Sequence, residues 1–270
     1  MTPKFDFTIV TPSFNQDRYL AKTIDSIWRQ RGDFTIQHII ADGGSTDMSW
    51  PIIQKYKSDL QLKKIRPLCR KLEVISWSRS DRGQTFALKR AFRQASGDIV
   101  SWLNSDDLWA SPSTLNLVKM TLASKPIDVL LGNAAAINEK GRRLQYPIYS
   151  VNKISQGPIR LPMLRQIFRL PIFSQPATFF RFQSFKHLNL DTSLNYTMDW
   201  DLLIQAIRQK LKFYKINRLI ALERIHPEAK TTKNQQAMYK EMARLYRKHH
   251  LWHLEHLAVI KKIIVNKYSL

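Results

Sequence analysis

The chain has 270 residues, 43 of them Lys or Arg against 21 Asp or Glu, for a formal net charge of +22. With 44% apolar and 24% charged residues, 8 Gly and 12 Pro, the composition excludes disordered and collagen-like chains, and one large domain with an optional appendage is the expected build. A single cysteine, Cys69, excludes an intrachain disulfide, no Cys/His spacing fits a zinc finger, and no run reaches the ~18 consecutive apolar residues of a membrane span.

The first half alternates short β-branched or aromatic runs with longer amphipathic segments, the rhythm of a parallel sheet covered by helices. In chain order it predicts a strand at Phe7–Thr11, a helix at Asp17–Arg29, a strand at Thr35–Ala41, a helix beginning near Asp47 and a strand at Leu72–Trp77. A helix at Thr85–Ala95 follows, with Ala87, Leu88, Ala91, Phe92 and Ala95 as its apolar stripe and Gly97 as its C-cap. Then come a strand at Asp98–Leu103, a helix at Ser113–Ala123 and a strand at Ile127–Leu131. Past residue 138 the rhythm weakens. Residues 140–190 hold nine Lys or Arg and no acid, and 158–169 space arginines among bulky apolar residues as interfacial helices do. A helix at Trp200–Lys210 and basic helices over Tyr239–Val265 complete the chain. The expected division is a catalytic-type α/β domain over 1–232 and a basic helical extension over 233–270.

In open α/β sheets ligands bind beyond the carboxyl ends of the strands, so polar residues that follow strand runs carry the most weight. Thr11-Pro12-Ser13-Phe14-Asn15 and Asp42-Gly43-Gly44-Ser45-Thr46-Asp47 are two such segments, and each reads equally as a plain strand-to-helix turn. Asn104-Ser105-Asp106-Asp107 is the third. Adjacent carboxylates at the end of a buried strand repel, and a hard divalent cation, Mg²⁺ or Mn²⁺, relieves that repulsion; helix capping is the alternative. A further acidic pair, Asp199 and Asp201, opens the helix near residue 200, where it also complements the helix dipole.

Seven segments in this order resemble the inverting nucleotide-diphosphate-sugar glycosyltransferases of family 2, which have the GT-A fold: FTIVTPSFNQ, IIADGGSTD, SDRGQ, ASGDIVSWLNSDD, QPATFFR, MDWDL and RIHPEAKT. The resemblance covers roughly residues 5–232. It implies a Rossmann-like, mostly parallel sheet sandwiched by helices and the transfer of a sugar from a nucleoside diphosphate, with UDP the first choice, to a hydroxyl of a saccharide or lipid-linked saccharide. It places Thr11, Pro12, Ser13 and Asn15 at the nucleotide, Asp42 on the base, Asp81 and Arg82 near ribose and diphosphate, and Asp106 on donor and metal. Asp107 and His226 become further metal ligands for Mn²⁺ or Mg²⁺, Arg224 and Lys230 close over the diphosphate, and Asp199 is the general base, with Asp201 supporting it. Inversion of the anomeric centre follows from a single in-line displacement. Asn104 stands for the first acid of the Asp-x-Asp motif, a variant this family commonly shows, whereas the sequence departs from many relatives at Arg79, Phe86, Lys89 and Ala91, which implies a donor site read differently there, and at Gln205.

The basic excess is assigned to an anionic membrane surface rather than to nucleic acid, because both basic regions interleave cations with Leu, Ile, Phe and Trp. The N-terminus enters its first strand without signal-peptide regions, so a cytoplasmic protein, peripheral on the inner face of the membrane, is expected. His249, His250, His253 and His256 read as a surface helix. Two rival functions remain, a catalytically silent basic scaffold and a nucleotidyltransferase, although TPSFNQ lacks the glycines of a phosphate loop.

Overall fold

The computed structural model describes residues 4–144, 156–159 and 173–251. Its first strands are β1 (Phe5–Ser13), β2 (Gly32–Asp42), β3 (Cys69–Ser78) and β4 (Gly97–Trp102), all paired in parallel in the order β3-β2-β1-β4. Helices α1 (Asp17–Trp28), α2 (Ser49–Gln61) and α3 (Gln84–Phe92) make the crossovers. A two-residue strand β5 (Leu108–Trp109) and helix α4 (Thr114–Ala123) follow, then β6 (Val129–Ile137) and β7 (Gly157–Ile159). After a 3-10 turn at Gln175–Ala177 come β8 (Thr178–Arg181), α5 (Phe182–Phe185), α6 (Met198–Arg208), β9 (Phe213–Arg224), α7 (Lys230–Lys233) and α8 (Gln235–Lys248).

The sheet is mixed. Beyond β4, β8 runs antiparallel to both β4 and β6, β6 is parallel to β9, and β5 and β7 lie antiparallel on β9. The expected parallel pairing thus holds through β3-β2-β1-β4 and recurs at β6–β9, with antiparallel pairs at β8, β5 and β7. Strands alternate their side chains between two cores. Phe7 and Ile9 join Leu20, Ile24 and Ile27 of α1 and Leu115 and Val118 of α4 on one face. Val10 and Ile39 join Leu88 of α3, Leu202 of α6 and Leu245 and Tyr246 of α8 on the other.

Three expectations are corrected. Helix α3 ends at Phe92, and Gly97 starts β4 instead of capping α3; a Cβ there would stand 2.4 Å from the Thr8 amide nitrogen, so only glycine admits the close approach of β1 and β4. Pro158 and Ile159 belong to an edge strand, not an interfacial helix, and residues 160–169 of that expectation lie outside the described residues. The boundary at 232/233 is no structural break, because α8 is packed into the second core; the basic helix beyond residue 251 lies outside the described residues. Among the described residues no helix is long and apolar enough to cross a membrane.

Candidate active site

The chain leaves β4 when the Leu103 N–H donates to Val10 O, and Asn104–Asp107 then turns back, the Asp107 N–H donating to Asn104 O at 3.1 Å. The Thr23 hydroxyl of α1 lies within 2.9 Å of Ser105 O and 2.8 Å of Asp107 O, which ties the turn to the helix beneath it. Asp107 points inward, 6% exposed. Its carboxylate accepts the Arg224 N–H at 2.9 Å and lies 3.4 Å from Asn104 Nδ2. Burial first, then the charges of Asp106 and Glu223, raise its pKa well above the usual carboxylate range. Asp106 faces the cleft, with Oδ2 3.1 Å from His226 Nε2.

Arg224, the last residue of β9, holds this turn in place. Its Nε donates to Asp106 O at 2.9 Å, its Nη1 to Asn138 O and Glu139 O at 3.0 Å each, and its guanidinium covers the Tyr19 ring at 4.7 Å. These bonds make Arg224 a buried fastener under the motif, and its Nη2, at the edge of the cleft, has no hydrogen-bond partner among the described residues.

Across the cleft stands Asp199 in the first turn of α6, accepting the Trp200 N–H at 2.9 Å. Burial, with a smaller push from the Glu241 charge, lifts its pKa to about 6. Lys230 reaches between the two halves, donating to Asn195 O at 2.5 Å and lying 3.4 Å from Gln84 Oε1. Gln84 donates to Asn104 Oδ1 at 2.7 Å, so the amide that replaces the motif's first acid is held from α3. Asp106, Asp107, Asp199, Arg224 and Lys230 thus line one cleft of about 200 Å³.

The nucleotide side of the expected site is partly rearranged. Thr11 is fully buried beneath the cleft and bonds His38 Nε2 at 2.9 Å. The Trp28 indole donates to His38 Nδ1 at 2.9 Å, so the neutral ring carries its proton on Nε2 and donates to Thr11; burial keeps it neutral, with a pKa near 3. Thr11 is corrected to a core residue. Asp42 is also fully buried, and its carboxylate accepts from the Gly44 and Ser45 N–H groups and the Ser45 and Ser78 hydroxyls. Here it organises its own loop instead of presenting an open acceptor. Pro12 and Ser13 are buried at the strand end, where Ser13 O accepts the Gly43 N–H at 2.8 Å. Asn15, at φ 51, accepts the Thr46 N–H at 2.9 Å and so joins the two loops. Asp81 stands beside this pair and accepts the Gly83 N–H at 2.8 Å; burial and the neighbouring Asp42 raise its pKa. Arg82 is exposed over the Phe86 ring, 5.8 Å from its centroid, outside the cleft.

Three acids matter in ways the sequence did not disclose. Glu223 lines the cleft between Asp199 and Asp106, bonded by the Ser174 hydroxyl; burial, reinforced by both neighbouring charges, raises its pKa to about 7. Its only sequence signal was its place beside Arg224. Glu241 of α8, 2% exposed, accepts the N–H groups of Asn195 at 2.8 Å, Tyr196 at 2.6 Å and Thr197 at 2.8 Å and the Thr197 hydroxyl at 2.9 Å. It thereby clamps the turn that feeds α6. Asp201 is buried and accepts from Gln205 Nε2 and Lys248 Nζ, with His249 Nε2 2.6 Å away. Burial opposes its ionisation, but His249 and Lys248 outweigh it and lower the pKa. His249 is accordingly a buried partner of α6, not a surface residue; His253 and His256 lie outside the described residues.

Asp106 Oδ2 and His226 Nε2 stand 3.1 Å apart as a hydrogen-bonded pair, and a divalent cation that replaced this bond would be held by one carboxylate oxygen and one imidazole nitrogen. No three His, Cys, Asp or Glu converge as a ligand set among the described residues. Asp107, bonded inward, is not placed as a direct ligand.

Residues 8–188 match the family described as glycosyl transferase family 2. The chain belongs to glycosyltransferase family 2. An uncharacterized glycosyltransferase of Nostoc sp. is 26% identical over 153 residues, 53% of this chain and 44% of that protein. The poly(ribitol-phosphate) beta-N-acetylglucosaminyltransferase TarS of Staphylococcus aureus is 25% identical over 138 residues, 50% of this chain and 22% of that one. The family 2 chain described here therefore spans less than half the length of either relative. In fold it resembles S. aureus TarS 1-349 in complex with UDP, with a TM-score of 0.63 at 18% identity, covering 89% of this chain and 64% of that one. Glucosyl-3-phosphoglycerate synthase from Mycobacterium tuberculosis, solved with Mn²⁺, UDP and glucosyl-3-phosphoglycerate, gives 0.59 at 20% identity over 92% and 81%.

Proposed function

We propose that this family 2 chain is an inverting, divalent-metal-dependent glycosyltransferase that moves a sugar from a nucleoside diphosphate, UDP by preference, to a hydroxyl of a saccharide or lipid-linked acceptor. The observation that carries the reading is the meeting of Asp199 with Asp106 in one cleft, with the buried His226 ring bonded to Asp106 from behind. UDP is present in two of the structures it resembles, and Mn²⁺ in one of them, which supports but does not replace that geometry.

The reaction needs a base for the acceptor hydroxyl and positive charge for the departing diphosphate. Asp199, with a pKa near 6, is ionised at neutral pH yet more basic than a solvated carboxylate, the compromise that suits a general base. It takes the hydroxyl proton as the oxygen attacks C1, and attack opposite the leaving group inverts that carbon. Mn²⁺ or Mg²⁺ held by Asp106 and His226 would act as a Lewis acid on the diphosphate. Lys230 adds a cation at the same mouth. Asp107 and Arg224 keep the Asp106 turn rigid, so little reorganisation is needed when charge develops. Attachment of the basic surface to anionic lipid on the cytoplasmic side of a membrane remains part of the proposal and is read by vesicle co-sedimentation.

The test is turnover of a UDP-sugar panel with Mn²⁺, comparing the wild type with Asp199→Asn. The variant is expected to lose about 10²- to 10⁴-fold in kcat while binding UDP as before. Undiminished turnover in the variant refutes the assignment, and a silent scaffold shows no turnover in either.

A further inference from the structure

A second concavity, about 660 Å³, lies on the outer side of α3, next to the cleft. It is lined by Arg79, Arg82, Lys89, Arg90 and Arg93, against the single carboxylate of Asp81. None of the five cations lies in an ion pair among the described residues, whereas Arg29, Lys55, Lys119, Arg181 and Lys248 elsewhere each have one. Like charges gathered in a concave surface repel one another and focus a field outward, and the field attracts an anion.

The chemistry of the lining narrows the anion. Four of the five groups are guanidinium, whose planar fork of N–H donors matches phosphate in bidentate fashion. Arg90 lies over the Trp77 ring at 5.2 Å and Arg82 over Phe86 at 5.8 Å, contacts that hold a guanidinium while its edge donors stay free. Each ring has one face under a guanidinium, which leaves less of it open as a platform for a nucleic-acid base. Only the turn at Gly83–Gln84 and the facing segment 192–195 separate the two openings: Asp81 and Thr192 line the groove, Gln84 and Asn195 line the cleft, and a Cβ on Gly83 would stand 3.1 Å from Asn195 Oδ1.

We propose that this groove holds a phosphodiester-bearing acceptor chain and feeds its end to Asp199. The proposal rests on the reading of the cleft as the site of sugar transfer, and it names the substrate class that the cleft takes. Phe86 and Lys89, departures from the family pattern, then have a shared purpose in lining the approach of the acceptor.

The experiment uses the full chain and a fluorescent oligo(glycerol phosphate), with binding read by anisotropy. Arg90→Gln combined with Arg93→Gln is expected to weaken binding about ten-fold or more, as loss of two charge-assisted contacts requires, and added salt weakens the wild type in the same way. UDP binding, followed by thermal shift, stays unchanged in the double variant. The proposal is overturned if the double variant binds the oligomer as the wild type does, or if a single-stranded oligonucleotide or an oligogalacturonate of equal charge binds as tightly through the same residues. Failure of the transfer reading looks different: the oligomer still binds through Arg90 and Arg93, but Asp199→Asn leaves turnover intact.

Discussion

Glu241→Gln probes whether the C-terminal helix builds the catalytic centre or merely adjoins it. The Glu241 carboxylate is the common acceptor for three backbone N–H groups and one hydroxyl at Asn195–Thr197, immediately before the helix that carries Asp199. Glutamine keeps the length but turns one oxygen into an NH₂ that confronts a backbone donor, and it removes the charge from the other contacts. A hydrogen bond to a charged group contributes ~1.5–3 kcal/mol and a neutral one ~1 kcal/mol, so the loss, with one donor orphaned in the interior, is roughly 2–4 kcal/mol. At ~2–4 °C per kcal/mol for a chain of this size, melting should fall by roughly 5–15 °C. Chemistry shifts as well. The Glu241 charge helps to raise the Asp199 pKa, so without it Asp199 stays ionised to lower pH and the acid limb of the kcat profile moves down from about 6. Misplacement of Asp199 by ~1 Å is expected to lower kcat by about 10²-fold, with UDP binding expected to stay unchanged. Calorimetry and a kcat–pH profile decide the matter. A variant that melts with the wild type and keeps its acid limb in place refutes the clamp.

The parallel half of the sheet was legible because its strands are uninterrupted apolar runs and its helices have clean stripes; β1, β2 and β4 need little more than Phe7, Ile9, Ile36, Ile39 and Val100 to be recognised. Strand β9 was hidden by Lys215, which breaks the run Phe213–Ile216. Its fully buried ammonium donates to Gly132 O at 2.6 Å and Asn133 Oδ1 at 2.5 Å, a partnership across 82 residues that no local pattern shows, and burial pulls its pKa down to about 7. At the site, residue types were legible and directions were not. Asp106 and Asp107 are neighbours in sequence, and the backbone turn sends one to His226 and the other to the Arg224 amide. Thr11 looked like a ligand residue until strand alternation put it on the His38 side. Glu241 went unremarked within the predicted basic helices and His249 was read as part of a surface helix, because charge composition says nothing about which face packs on α6.

Four further substitutions separate the parts of this arrangement. Gly97→Ala places a methyl 2.4 Å from the Thr8 nitrogen, and because backbone cannot yield there the chain should unfold or lose several °C in a thermal melt; a melt within 2 °C, roughly half a kcal/mol, would rule out the close-approach argument. Asp106→Asn or His226→Ala should abolish Mn²⁺ enhancement of UDP binding in titration calorimetry, whereas removal of a group outside the metal site leaves it; persistence of that enhancement in both variants would place the cation elsewhere. Glu223→Gln tests the cost of keeping a carboxylate between Asp199 and Asp106. Its folded pKa, about 7, lies above the ordinary 4.5, so the folded state holds the proton more tightly than the unfolded one. Stability contributed by that proton is complete below pH 4.5 and is lost as pH rises through 7, by about 3 kcal/mol in total for a shift of this size. Glutamine mimics the protonated form and still accepts from Ser174. The variant should therefore match the wild type at pH 4 and exceed it at pH 8, and an equal gain at both pH values would mean that packing, not ionisation, explains the difference.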